Sequence, residues 1–328
     1  MTADAAVPRR SAFGDARSWL RDRPIVPLLI LLGLLVLVLQ IVQPGIVTAS
    51  WASSTLRFAV PLAILAACQT LTMLTGGIDL SVAVVASMAS YVMATFVGDV
   101  GWLNASLIAL VPAALVGLVN GIGIGLFRVH PLIMTISMSL IVSGAVNVYQ
   151  RANIAGGTRV PPEIRELGGQ TLFGFLPNSL VLFVPLAILV LLGLRGSGYG
   201  RLLYAVGDNE VAARLAGVRV GWVLVVLYVL SAVLAGIAGL IYAGVIGSAT
   251  PRLVDPYLLP SVAAAVVGGT SIFGGRGGYA GSILGAIILT VLTTLLSVLD
   301  APEPVRQILF GAIILAVAAA YTRITADS

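Results

Sequence analysis

The chain has 328 residues, of which 59% are hydrophobic and 9% charged, and its mean hydropathy is +1.08. A soluble domain is roughly a quarter charged, so these values exclude a water-soluble protein and indicate an all-α polytopic membrane protein. All 18 basic residues are Arg, which excludes a P-loop ATPase and a Schiff-base enzyme, because both need a lysine; the net charge of +5 reads as membrane topology, with no nucleic-acid partner.

Residues 1–24 are predicted to form a tail carrying Arg9, Arg10, Arg17, Arg21 and Arg23. The apolar run from Ile25 to Val42 is longer than the roughly 7–15 residues of a signal-peptide core, so it is read as a retained helix. Ten spans are expected, at about 25–43, 56–75, 80–98, 102–126, 131–149, 178–194, 222–246, 257–274, 279–299 and 305–321, each near the ~20 apolar residues that cross a bilayer. The breaks at 76–79 and 274–278 are the tightest, and either could be a re-entrant turn. Together the spans make one transmembrane domain over 25–322, followed by a short tail at 323–328.

Arginine placement sets the orientation. With the N-terminus cytoplasmic, the even-numbered loops are cytoplasmic too, and twelve of the eighteen Arg fall on that side. The six Arg outside are balanced by Asp99, Glu163, Glu166, Asp255, Asp300 and Glu303, so the whole positive excess is cytoplasmic and both termini are predicted inside. Residues 150–177 form a long outer loop and 195–221 a long inner loop, and these hydrophilic segments are where soluble partners can dock.

Apart from Arg57 and Arg306 near span ends, the spans contain no Asp, Glu, Lys, Arg or His. Proton relays and voltage sensors need such groups, so an ion-driven carrier is disfavoured, with Asp79 its one candidate. One His and one Cys cannot build a usual zinc site, and neither a metal nor a cofactor is expected. Cys68 reads as a core residue and His130 as an interfacial one. Small residues at four-residue spacing (Gly117, Gly121 and Gly125; Gly236 and Gly244; Gly281 and Gly285) predict close helix packing.

Three motifs interrupt the apolar pattern. In the first, Gly76 and Gly77 break the run, and Asp79 or Ser81 can cap the next helix. It reads as a tight turn or as a hinge where helix ends meet a polar solute. The second, Gly207-Asp208-Asn209-Glu210-Val211-Ala212-Ala213-Arg214-Leu215-Ala216-Gly217-Val218, reads as a short cytoplasmic helix. Asp208 or Asn209 is its N-cap and Gly217 its C′ residue. Val211, Leu215 and Val218 form an apolar face, and Glu210 and Arg214 an i,i+4 pair. That helix could lie on the membrane lipid surface or dock on a soluble partner. The third runs from Ala264 through Gly268, Gly269 and Thr270 to Gly278. A phosphate-cradling loop would need a preceding strand, and here a membrane span precedes it, so a flexible, closely packed turn is expected.

Together and in this order, the GGIDLS element at Gly76–Ser81, the GxNExAAxxxGV element at Gly207–Val218 and the VVGGTSxxGGxG element at Val266–Gly277 resemble the permease subunits of bacterial ABC sugar importers, the branch typified by ribose and xylose permeases. The resemblance covers most of the chain from the second span onward. It departs at Val82-Ala83, where the family often has Val-Gly. The resemblance implies ten transmembrane helices with spans two to five and seven to ten as inverted repeats. It also implies an inner-membrane location and three kinds of partner: cytoplasmic ABC ATPase subunits, a periplasmic or extracellular solute-binding protein, and a second permease copy. By resemblance, Gly207 to Gly217 is the helix that couples to the ATPase, and Gly76, Gly77, Asp79, Ser81, Gly268, Gly269 and Thr270 are translocation or hinge candidates. The rival classes are an ion-coupled secondary transporter and a non-transporting membrane scaffold.

Overall fold

A computed structural model of the chain describes residues 25–152 and 159–326, with side chains up to residue 316. The tail at 1–24 with its five Arg, residues 153–158 of the outer loop, the Arg323 side chain and residues 327–328 lie outside the described residues. The helices are α1 (Ile25–Val42), α2 (Ala49–Leu74), α3 (Val82–Gly125), α4 (Pro131–Ala152), α5 (Pro162–Gly169), α6 (Ser179–Gly196), α7 (Gly198–Asp208), α8 (Glu210–Leu215), α9 (Val220–Ile246), α10 (Leu258–Val267), α11 (Tyr279–Val298) and α12 (Glu303–Ala326). Seven of them are long and apolar enough to cross a membrane: α1, α2, α3, α4, α6, α9 and α11. The only described sheet is a hairpin of two-residue strands, Thr171–Leu172 and Leu176–Pro177, in the outer loop.

Helix α3 has 44 residues. At about 1.5 Å per residue it would be roughly 66 Å long if straight, twice the ~30 Å hydrocarbon thickness. It is not straight. Gly101 has φ 78° and ψ 165°, a conformation open essentially to glycine alone, and the chain reverses there. A Cβ placed on Gly236 of α9 would sit 3.3 Å from Cβ of Ala113 and 3.5 Å from Cβ of Ala89. Asn120 likewise donates to the Ser81 hydroxyl at 3.0 Å. Segments 82–100 and 102–125 are therefore antiparallel arms of one helical hairpin, as the separate third and fourth spans require.

The predicted eighth span, 257–274, is shorter than expected. Its helix ends at Val267, and residues 268–278 form turns. The glycine pair Gly268-Gly269 at the helix end explains the early stop, since Gly269 takes positive φ, as do Gly274, Gly275 and Gly277 beyond it, and such a backbone cannot continue an α-ladder.

Helices α2 and α9 form the centre. α2 is buried almost without break from Ala59 to Leu74. In lipid, apolar side chains gain nothing by leaving hydrocarbon for a neighbouring helix, so close backbone approach must supply the packing. Gly117, Gly121 and Gly125 meet the α9 backbone at Tyr228, Val225 and Gly221. Gly281 and Gly285 of α11 meet Gly268 and Ala264. Gly244 packs against Ile164 of α5, which lies over the C-terminal end of α9 and is pinned by Arg165 donating to the Gly247 carbonyl at 3.0 Å. Large apolar side chains such as Leu34, Leu140 and Leu189 are more than half exposed, as a lipid-facing surface demands. Cys68 is fully buried and His130 exposed.

Candidate functional site

The three motifs share one local device. Each ends a helix in a pair of reversed hydrogen bonds closed by a glycine with positive φ. At the end of α2, Gly76 N donates to Met73 O and Gly77 N to Thr72 O. At the end of α8, Gly217 N donates to Arg214 O and Val218 N to Ala213 O. At the end of α10, Gly269 N donates to Val266 O and Thr270 N to Ala265 O. Gly76, Gly217 and Gly269 have φ of 77°, 86° and 89°.

The end of α2 and the loop after α10 converge on α7, immediately before α8. Gly207 packs directly on the Leu74 carbonyl and beside Gly275 N. Gly275 N donates to that same carbonyl at 3.0 Å. A Cβ on Gly274 would stand 2.8 Å from Gly207 O and 3.1 Å from Gly76 N. Tyr204 of α7 donates its hydroxyl to Gly277 O at 2.9 Å. Burial pushes the Tyr204 phenol up, with Arg195 opposing, so it remains a neutral donor at physiological pH. Thus the end of α2, the loop after α10 and the end of α7 touch backbone to backbone. All three segments belong to even-numbered loops in the sequence reading, and the structure brings them to one end of the bundle.

The α8 helix hangs from this junction. Asn209, not Asp208, is its N-cap: the Asn209 side chain accepts from Ala212 N at 2.9 Å, while Asp208 ends α7. Glu210 pairs with Arg214 as predicted and also with Arg128 at 3.0 Å, a residue in the turn after α3. These pairs are half-exposed and contribute at most about 1 kcal/mol each. Ala213 faces the bundle, Ala212 is exposed, and Val211 and Leu215 are 68% and 85% exposed. Only Val218 of the predicted apolar face packs against the core.

The residues after Gly77 turn into the bundle. Asp79 is 1% exposed. Its Oδ1 accepts from Ser81 N at 2.9 Å and from Ser81 Oγ at 2.6 Å, and its Oδ2 accepts from Ser231 Oγ of α9 at 3.4 Å. Ser81 precedes α3 but its hydroxyl makes no cap bond; its proton is committed to Asp79 and its oxygen accepts from Asn120. Gln69 of α2 donates to Asp79 O at 2.8 Å, and Thr135 of α4 accepts from Leu80 N at 3.2 Å. Four helices, α2, α3, α4 and α9, therefore meet on one short loop. Gly77 leaves no room for a side chain, since a Cβ there would stand 2.7 Å from the Tyr228 hydroxyl. A second polar contact joins Thr70 to Ser282 at 2.6 Å and Ser282 to Thr270 at 3.4 Å, beside the packing of Gly268 on α11.

Gln69, Asn120, Thr135 and Ser231 were not among the residues singled out by motif. Their signal was simple: uncharged polar side chains inside otherwise apolar spans. Among the described residues no group of three His, Cys, Asp or Glu side chains forms a metal-ligating cluster.

Comparison with known proteins places the sequence in a family. The family described as "Branched-chain amino acid transport system / permease component" matches residues 51–318, from the first turn of α2 into α12. The ribose import permease protein RbsC of Escherichia coli (strain K12) is 33% identical over 91% of the chain and 93% of its own length. The fructose import permease protein FrcC of Rhizobium meliloti is 32% identical over 86% of the chain and 82% of its own. The galactofuranose transporter permease protein YtfT of Escherichia coli (strain K12) is 33% identical over 80% and 76%. No solved structure matches significantly. With α2 to α12 matched and the resemblance carried by three ordered motifs, the chain belongs to the family of transport-system permease components.

Proposed function

We propose that the chain is the translocation subunit of an ATP-driven, binding-protein-dependent importer for a monosaccharide or related polyol. It works in the bacterial inner membrane with both termini cytoplasmic, as a ten-span permease with inverted repeats over spans two to five and seven to ten, paired with a second permease copy. A separate ATPase supplies the energy, and a solute-binding protein delivers the sugar. The observation that carries the reading is the backbone contact of Gly207 with Leu74 and Gly275. It links the end of α7, which leads straight into the exposed α8 helix, to the end of α2 and to the loop after α10. Because glycine interposes no compliant side chain, a displacement of α8 reaches α2 and the α10–α11 loop with little loss, as in any close-packed interior. The sugar class comes from the relatives that the chain resembles.

The test is uptake into proteoliposomes. Sugar accumulation is expected only when the ATPase, ATP and the binding protein are all supplied, and the chain alone is expected to hydrolyse no ATP. Uptake driven by a proton or sodium gradient without the ATPase would instead support a secondary carrier built around Asp79, the buried carboxyl of the bundle.

Docking through α8 has its own expected result. Leu215→Asp places a charge on the most exposed apolar side chain of that helix. Co-purification of the ATPase should fall at least tenfold, about 1.4 kcal/mol of binding, with membrane insertion and thermal stability retained. Undiminished co-purification would remove α8 from the interface. Charge reversal at Glu210 is a poorer probe, because an Arg there would face Arg128 as well as Arg214.

A further inference from the structure

A cavity of about 450 Å³ opens between α2, α10, α11 and α12, within the roughly 300–1,000 Å³ typical of small-molecule sites. Its walls come from the first turns of α2, the last turns of α11 and the first turns of α12. Because α2 ends and α11 begins near the glycine junction, the cavity lies at the opposite end of the bundle, the outer end in the proposed orientation.

One wall is a ladder of hydroxyls on α11. Thr290 donates to Ala286 O at 2.8 Å, Thr293 to Leu289 O at 2.8 Å, Thr294 to Thr290 O at 3.1 Å and Ser297 to Thr293 O at 2.8 Å. A hydroxyl has a single proton, and each of these is committed to its own helix. What the ladder offers a ligand is acceptor lone pairs. Another wall is aromatic: the Tyr242 and Tyr257 rings lie 4.6 Å apart at 37°, and Tyr257 is fixed by donating its hydroxyl to Phe58 O at 3.2 Å. Trp51, also in the lining, holds a buried indole N–H without a hydrogen-bond partner. Glu303 and Arg306 contribute one charge of each sign, so the lining carries no net charge.

This combination selects a ligand class. A row of acceptors calls for a molecule rich in O–H donors. Aromatic walls call for apolar ring faces. A lining with no net charge disfavours a free anion or cation. We infer that the cavity is a binding site of the permease itself for the transported solute, a neutral monosaccharide entering from the outer face. The inference rests on the transport reading above and adds to it a site on this chain, beyond the one on the delivering protein.

Thiol protection tests it. The one native cysteine, Cys68, is fully buried, so Thr294→Cys introduces the one addressable thiol. The nucleotide-free permease–ATPase complex in proteoliposomes is labelled from outside with a fluorescent maleimide, in the presence of D-ribose, D-fructose, D-galactose or, as control, glycine at equal concentration. The sugar that the wild-type transporter carries is expected to slow labelling at least fivefold, and glycine is not. Ser297→Cys, at an exposed position on the same ladder, repeats the measurement should Thr294→Cys fold poorly. The assignment is overturned if a transported sugar protects neither thiol, or if neither thiol can be labelled from outside. A complete transporter that carries none of the sugars would instead overturn the transport reading, a failure distinct from unprotected labelling.

Discussion

Gly207→Ala is expected to cut ATP-driven uptake at least tenfold in the assembled transporter. The added methyl would collide with the Leu74 carbonyl and stand 2.6 Å from Gly275 N. Both neighbours are backbone, so no rotamer change can relieve the clash. Inserting one methyl group into such a contact costs about 1–3 kcal/mol, which exceeds the ~1 kcal/mol that alanine gains over glycine inside a helix. The contact must open, and α7 then no longer bears on the end of α2. Gly198→Ala is the matched control, because a Cβ there meets only the tip of the Arg201 side chain at 3.9 Å. That variant should transport normally. Radiolabelled sugar uptake at equal protein density reads the difference, and wild-type uptake by Gly207→Ala would separate the junction from transport.

The second large effect is expected at Asp79, on stability. Its carboxyl oxygens accept from Ser81 N, Ser81 Oγ and Ser231 Oγ, and the residue is buried. Asp79→Ala leaves these donors without an acceptor in a region closed to water, at about 1–3 kcal/mol for each buried group left unpaired. Asp79→Asn retains one acceptor oxygen, and its amide can donate to Ser231. The alanine variant should therefore be less stable than the asparagine variant by on the order of 3 kcal/mol, read as a lower midpoint in thermal unfolding in detergent. Equal midpoints would mean that the hydrogen bonds of the Asp79 side chain do not stabilise the loop from Gly77 to Ser81.

Much of the local structure was legible because it depends on neighbours in the chain. Asn209 and Gly217 bracket α8 by their capping chemistry alone, and Gly76 ends α2 by the same rule. The choice between Asp208 and Asn209 as cap was not legible, because either side chain can accept the bond and only the direction of α7 decides. The exposed faces of α8 followed from spacing in part: Val211 and Leu215 share a face as predicted, but Val218 turns back to the core once Gly217 has reversed the backbone. The break between the predicted spans 80–98 and 102–126 was legible around Asp99, but not the positive φ at Gly101 that makes the turn inside one long helical stretch. Its reversal becomes visible through Ala89 and Ala113 meeting the same residue of α9.

By itself the sequence determined the environment, the distribution of charge and the positions where helices must stop. Those properties follow from hydropathy summed over ~20 residues, from arginine placement and from capping rules that reach only four or five residues along the chain. Only the tertiary structure decided that the glycine motifs touch backbone to backbone through Gly207, that Gln69, Asn120, Thr135 and Ser231 gather on one loop, and that a hydroxyl ladder and two tyrosines line one cavity. Each of these joins residues far apart in the chain. In lipid such encounters are selected by close backbone approach and by the need of each buried polar group for a partner, and neither can be read from a single segment.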